Sequence, residues 1–148
     1  MRILFTIAIL LVVVTVAGAI YFRQVPMPAE VWHVEPADVT PPTTPNYVLL
    51  GGRRGPAPPR AALAATADLL EQAATAEGAT RIAGDLSDGH ATYVARTALM
   101  GFPDAVSIRL VPDGDATRVE IFSRSRYGQS DLGANRARVN RWIAPLAP

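Results

Sequence analysis

The chain has 148 residues, 49% of them hydrophobic and 18% charged, with a formal net charge of +1, which leaves room for one domain with a single core. It contains no cysteine, so disulfides, thiolate zinc sites and cysteine nucleophiles are excluded. The near-neutral sum hides an asymmetry. Arg118 to Arg141 holds six arginines against Glu120 and Asp131, while Arg23 to Thr117 holds seven arginines against eleven acids. Such a basic block either recruits an anion or is a solvated face.

Ile3 to Phe22 is a run of twenty residues without a charge, and as a helix with a rise of about 1.5 Å per residue it spans a hydrocarbon core of about 30 Å. We expect residues 1–23 to be a membrane anchor that meets the lipid bilayer through Ile3 to Phe22. A signal peptide cleaved after Ala19 is the rival, because Ala17-Gly18-Ala19 fits a small-x-small site. Against cleavage, the apolar run continues through Ile20, Tyr21 and Phe22, with Tyr21 suited to the headgroup level. Arg2 plus the amino terminus outweighs Arg23, which predicts a single-pass protein with its domain outside the cytoplasm, in the periplasm.

Residues 24–59 read as a proline-rich tether, with nine of the thirteen prolines between Val25 and Pro59. Two apolar islands interrupt it, Val31 to Val34 and Tyr47 to Leu50. Each is expected either to lie across the domain or to add an edge strand. Pro59 is expected to open a helix carrying Leu63, Ala67, Leu70 and Ala74 on one stripe and stopping at Gly78. The period then changes to two. Thr80 to Leu86, Ala91 to Leu99, Val106 to Val111 and Thr117 to Arg126 read as strands, with turns at Ser87 to His90 and Pro112 to Asp115. The last helix is expected to start near Ser130 or Asp131 and to bury Val139, Trp142, Ile143 and Leu146, with Asn135 on the same stripe. The order helix, four strands, helix predicts an α+β fold over 60–148: a two-layer sandwich, a four-stranded antiparallel meander with both helices on one face.

Ser123 to Trp142 concentrates the chemistry. Arg124 and Arg126 lie two apart on a strand, and Arg136 and Arg138 lie on the helix that follows. Together with the free amides at the helix start they form a candidate anion site, since the planar guanidinium suits phosphate or carboxylate. The alternative is an internal clasp of Ser130, Asp131, Gly133 and Asn135, in which Arg126 clamps Asp131 and Asn135 ties the backbone. Other chemistries find less support. Ser123, Ser125 or Ser130 with His90 and an aspartate could be written as a triad, but no nucleophile elbow surrounds any of them. His33 and His90 lie without helical ligand spacing, so no metal or other cofactor is expected. Gly51 to Gly55 follows no βαβ unit, which leaves no nucleotide loop. Only Tyr127 and Phe122 offer aromatic platforms beside the arginines, so nucleic acid is not expected as a partner.

At these residues the chain resembles the bacterial and plastid proteins grouped as domain of unknown function 1499. The similarity runs over about 46–146. It rests on Ser125-Arg126, Gly128, Ser130-Asp131-Leu132-Gly133, Asn135-Arg136 and Arg138, with Arg96 and Gly101-Phe102-Pro103-Asp104 in support. Members often carry a Cys-Val-Ser-Ser run after the asparagine matching Asn46, and paired aspartates before the third strand. Here Tyr47-Val48-Leu49-Leu50 and Pro103-Asp104-Ala105 stand in those places. The resemblance implies a fold and its limits and carries no activity across. The expectation is an envelope binding or assembly module for an anionic small molecule, a lipid headgroup or an envelope protein. A hydrolase or transferase acting on an anionic substrate is the alternative, and a purely structural envelope protein is a third.

Overall fold

The computed structural model describes residues 1–51, 60–62 and 65–146. An apolar helix α1 (Arg2–Gln24) buries none of its residues and is long and apolar enough to cross a membrane. A single turn α2 (Ala29–Trp32) follows, then β1 (Tyr47–Leu50), β2 (Arg60–Ala62) and α3 (Thr66–Ala76). The meander comes next, β3 (Thr80–Asp85), β4 (His90–Arg96), β5 (Pro103–Asp113) and β6 (Ala116–Ser125), and α4 (Ala134–Ile143) closes the chain.

The α+β expectation holds, and the sheet is one position wider than the four-stranded meander. Its order is β1-β6-β5-β4-β3, antiparallel throughout. Tyr47–Leu50 takes the edge option, pairing Tyr47 with Arg124 and Leu50 with Ile121. Further along the same edge, Arg60 pairs with Arg118 and Ala62 with Ala116. This corrects the helix expected from Pro59. Alanine's helix propensity is a weak prior, and here the chain satisfies the free edge of β6 before turning into α3 at Thr66. Pro59, Leu63 and most of the Gly51 to Gly55 stretch lie outside the described residues. The strand expected to reach Leu99 ends at Arg96, because Thr97 begins a loop that closes on itself with Thr97 N donating to Phe102 O at 3.0 Å.

Strand alternation sends odd residues of β6 and even residues of β5 to the helix side. There Val106, Ile108, Val119 and Ile121 meet Leu70 and Ala74 of α3 and Val139 and Trp142 of α4, all fully buried. Trp142 meets Tyr93 edge-on at 5.9 Å. Burying a large apolar side chain contributes about 1.5–3 kcal/mol, so this cluster is the main source of stability.

The other side of the sheet is not left to water. Residues 25–46, rich in proline and, apart from the short helical turn α2, without helix or strand pairing, run across it as a strap. Met27 joins Val94 and Ala105 in a second, smaller buried cluster, with Trp32 and Ile82 packed against it.

Candidate functional site

Three groupings of polar side chains lie about the sheet. The first lies on the helix side, where Asn135 is fully buried at the start of α4. Its side-chain amide donates to Asp131 Oδ2 at 2.8 Å, to Ser125 Oγ at 2.9 Å and, more weakly, to Asn46 O at 3.4 Å. Its carbonyl oxygen accepts from Ser123 Oγ and from Arg138 Nη1 at 3.1 Å. A buried asparagine needs such partners. Arg138 also donates to Asp104 Oδ2 at 2.8 Å, an ion pair whose side chains are 8% and 3% exposed. Asp131 accepts from the backbone amides of Gly133 at 3.0 Å and Asn135 at 2.9 Å, capping α4 although the helix begins at Ala134. Burial opposes its ionisation, but the backbone and side-chain bonds from Asn135 and the Gly133 amide hold its carboxyl below the ordinary value. Ser130 Oγ accepts from Leu132 N at 3.2 Å. Asp131, Gly133 and Asn135 thus lie in one hydrogen-bonded unit, and Ser130 holds Leu132 beside it.

The second grouping lies under the strap. Arg124 is 8% exposed and, among the described residues, has no carboxylate paired with it. Its Nη2 donates to Trp32 O at 2.8 Å, and its guanidinium sits 4.6 Å from the Phe122 ring and 5.1 Å from the Trp32 ring. Burial without an anionic partner pushes its pKa down to about 10. Beside it a polar chain runs from His33 Nδ1 to Thr92 Oγ1 at 2.8 Å, to Ser107 Oγ at 3.1 Å, to Trp32 O at 3.2 Å. The His33 and His90 rings stack at 4.0 Å, and Glu35 pairs with Arg109 at 3.5 Å. Arg126 donates to Pro26 O.

The four arginines therefore do not converge. Arg124 and Arg126 project to the strap side, Arg138 is buried on the helix side, and Arg136 is exposed on α4. Even-numbered positions of β6 face away from α4, which also takes Arg126 out of reach of Asp131; the clamp expected between them is replaced by the amides and side chain of Asn135. The triad residues are parted too. His90 pairs with Arg109 and Ser125 with Asp104, five positions apart along β5, or about 17 Å, and they face opposite sides. Among the described residues no group of three or more histidine, aspartate or glutamate side chains is placed to hold a metal.

The third grouping joins α1 to the domain. Arg96 Nη1 donates to Phe22 O and its Nη2 to Val25 O at 2.9 Å, satisfying carbonyls that the helix end leaves free. Burial first, and then the charge of Arg126, lowers its pKa. Arg23 reaches back with Nη2 to Ala98 O and Leu99 O, both at 2.8 Å. Phe22 packs between Phe102 at 4.1 Å and Tyr127 at 5.2 Å. Between these aromatics and the start of α4 lies a cleft of about 310 Å³, lined by Thr97, Phe102, Ser125, Tyr127, Asp131 and Leu132 among others. Leu132 is 97% exposed and is the sole non-glycine residue with positive φ, 52°, among the described residues. A second cavity of about 370 Å³ at the far end of the sheet is lined by Leu86, Arg109 and Thr117.

A family model described as "Protein of unknown function (DUF1499)" matches residues 34–146. The chain is a DUF1499 protein. No curated protein and no solved structure matches it. The DUF1499 match begins at Val34, inside the strap and twelve residues before Asn46, and it takes in the whole sheet, both of its helices and the cleft.

Sequence reasoning missed the seat of α1 and the burial of Arg124. A signal for the latter existed: Val94, Ala105 and Ile82 give the sheet a second apolar face, and Met27 and Trp32 in the strap are the side chains able to cover it.

Proposed function

We propose that this DUF1499 protein is a single-pass, membrane-anchored binding or assembly module, with its domain on the periplasmic side and the cleft beside Tyr127 as its binding site. The observation that carries the reading is the direct seat of the cleft on the end of α1: Phe102 and Tyr127 line the cleft and also pack on Phe22. A helix that spans the bilayer thus holds the cleft at the level of the headgroups. The excess of positive charge at Met1 and Arg2 over Arg23 supports the outward orientation.

The lining favours a ligand with hydroxyl or amine donors over an anion. Thr97, Ser125 and Ser130 supply hydroxyls and Asp131 a carboxylate, while the described wall contains no arginine. Asp131 already occupies the amides at the start of α4, where an anion would otherwise sit. Amide NMR shifts of the full chain in bilayer discs of varied headgroup composition test this. Shifts at Tyr127, Gly128 and Ala134 are expected with ethanolamine or glycosyl headgroups, and Ala134→Phe, which fills the cleft, is expected to abolish them. Shifts that follow anionic headgroups and centre on Arg136 would establish the anionic reading instead.

A further inference from the structure

The loop Thr97 to Phe102, between β4 and β5, contains no charged residue: Thr97-Ala98-Leu99-Met100-Gly101-Phe102. Leu99 is 83% exposed, and outside residues 1–24 the described chain leaves only Val31, Leu99 and Leu132 as exposed large apolar side chains. Met100 lies back along α1, its Cε 3.7 Å from where a Cβ on Gly18 would stand. Gly18 is five residues before Arg23, about 7.5 Å towards the middle of the helix. Gly101 permits this approach. Its φ is +76°, and a Cβ there would run into the Arg23 side chain and stand 3.2 Å from the Arg23 nitrogen.

Most of the loop's carbonyls are satisfied within the protein. Thr97 O accepts from Gly101 N at 2.8 Å, and Phe102 N donates to Thr97 Oγ1 at 2.9 Å. Arg23 takes the carbonyls of Ala98 and Leu99, and Arg96 that of Gly101 at 3.4 Å. With Phe102 O bonded to Thr97 N, five of the six carbonyls have partners inside the protein. Satisfied carbonyls lower the cost of bringing the loop's backbone to the boundary of the hydrocarbon, where an unsatisfied polar group costs several kcal/mol.

We propose that Thr97 to Phe102 enters the outer edge of the bilayer beside α1 as a second membrane contact, with Leu99 and Met100 among the lipid acyl chains. The proposal rests on reading α1 as a membrane span. The domain is then fixed to the lipid at two points and cannot swivel freely about its anchor. Arg23 extends to the loop carbonyls at the boundary, as long basic side chains do near helix ends.

The absence of cysteine makes the test direct. Leu99→Cys, Val12→Cys in the middle of α1 and Asp115→Cys at the β5–β6 turn each take one environment-sensitive fluorophore in the full chain, reconstituted in phosphatidylcholine vesicles. Leu99 and Asp115 are exposed, so neither label disturbs the core. The label at residue 99 is expected to emit at shorter wavelength than that at 115. Lipid carrying a spin label high on the acyl chain is expected to quench it, with quenching at residue 12 strongest for a label near the chain end. A label at 99 that emits and resists lipid quenching as at 115, while 12 is quenched, overturns the loop proposal and leaves the anchor standing. Blue-shifted emission at 99 without lipid quenching means that protein covers the loop, and also overturns it. If 12 is not quenched either, the membrane reading of α1 fails first.

Discussion

On the helix side of the sheet, Trp142, Tyr93, Ile108 and Ile121 are fully buried, and the buried Ser123, Asn135, Arg138 and Asp104 beside them are paired side chain to side chain. On the strap side, Met27, Val94 and Ala105 make up the buried apolar cluster, and much of the hold comes from arginine to carbonyl: Arg96 to Phe22 and Val25, Arg126 to Pro26, Arg124 to Trp32. The two layers do different work. Apolar burial is cooperative, so the helix side stands or falls with the domain. Bonds to successive carbonyls of a segment without strand pairing can open one after another, which makes the strap a unit of lower local stability.

The sharpest way to break the contrast is Trp142→Ala. Emptying the centre of the larger cluster is expected to cost about 3–5 kcal/mol, read by denaturant unfolding, with both layers lost in one transition. Next come Asp131→Ala and Asn135→Ala. Each is expected to cost about 1–3 kcal/mol by stranding buried partners, and the double variant to cost less than the sum, because the two residues share bonds. Unchanged melting in either would show that the polar unit is no part of the helix-side core. Arg124→Ala is expected to cost less, about 1–2 kcal/mol. Its effect should be local, with hydrogen exchange rising over 25–46 while β4 to β6 keep their protection. Exchange rising equally in the sheet would erase the distinction between the layers.

Acid separates the faces by titration. Burial first, and then the charge of His90, lowers the pKa of His33 from its ordinary 6.5, with Glu35 opposing. The folded strap therefore favours neutral His33, whose contribution is full above 6.5 and is lost as pH falls through the lower folded value. Arg109, facing Glu35, adds positive charge nearby. Asp131 has the opposite charge but the same sign of linkage: its lowered carboxyl stabilises above its ordinary 3.8 and loses this as pH falls through the folded value. Exchange in 25–46 is expected to rise in mild acid, with α4 holding until well below it. Loosening of both together would refute the two-layer description. The smallest effect is expected at Arg141, which pairs with Glu77 on the outer surface at 2.6 Å and is 58% exposed. Arg141→Ala is expected to cost under about 1 kcal/mol, so an arginine in an exposed ion pair should matter less than Arg124 with none.

The helix-side layer was largely legible in the sequence because side-chain periodicity encodes it. The two-residue alternation of β5 and β6, the α4 stripe and the burial of Asn135 all follow from spacing. The strap was not legible, since backbone carbonyls accept hydrogen bonds whatever side chain they carry. Arg124 and Arg126 read as free cations because their partners are the carbonyls of Trp32 and Pro26, 92 and 100 residues away. Arg138 hid its partner for a related reason: Asp104 lies 34 residues earlier, in a strand whose facing depends on the register. The early start assigned to α3 came from alanine richness, which cannot register the unpaired edge of β6.

The seat of α1 also fixes an order of events during synthesis. The helix and the strap leave the ribosome first, but Arg96, Arg124 and Arg126, which grip them, arrive 71 to 100 residues later. Until those arginines are made, α1 and the strap lack these partners to dock on. The domain can settle onto α1 and the strap only when the last strand of the meander is complete, so a chain that stops before Arg124 lacks the grip on Trp32 and Pro26.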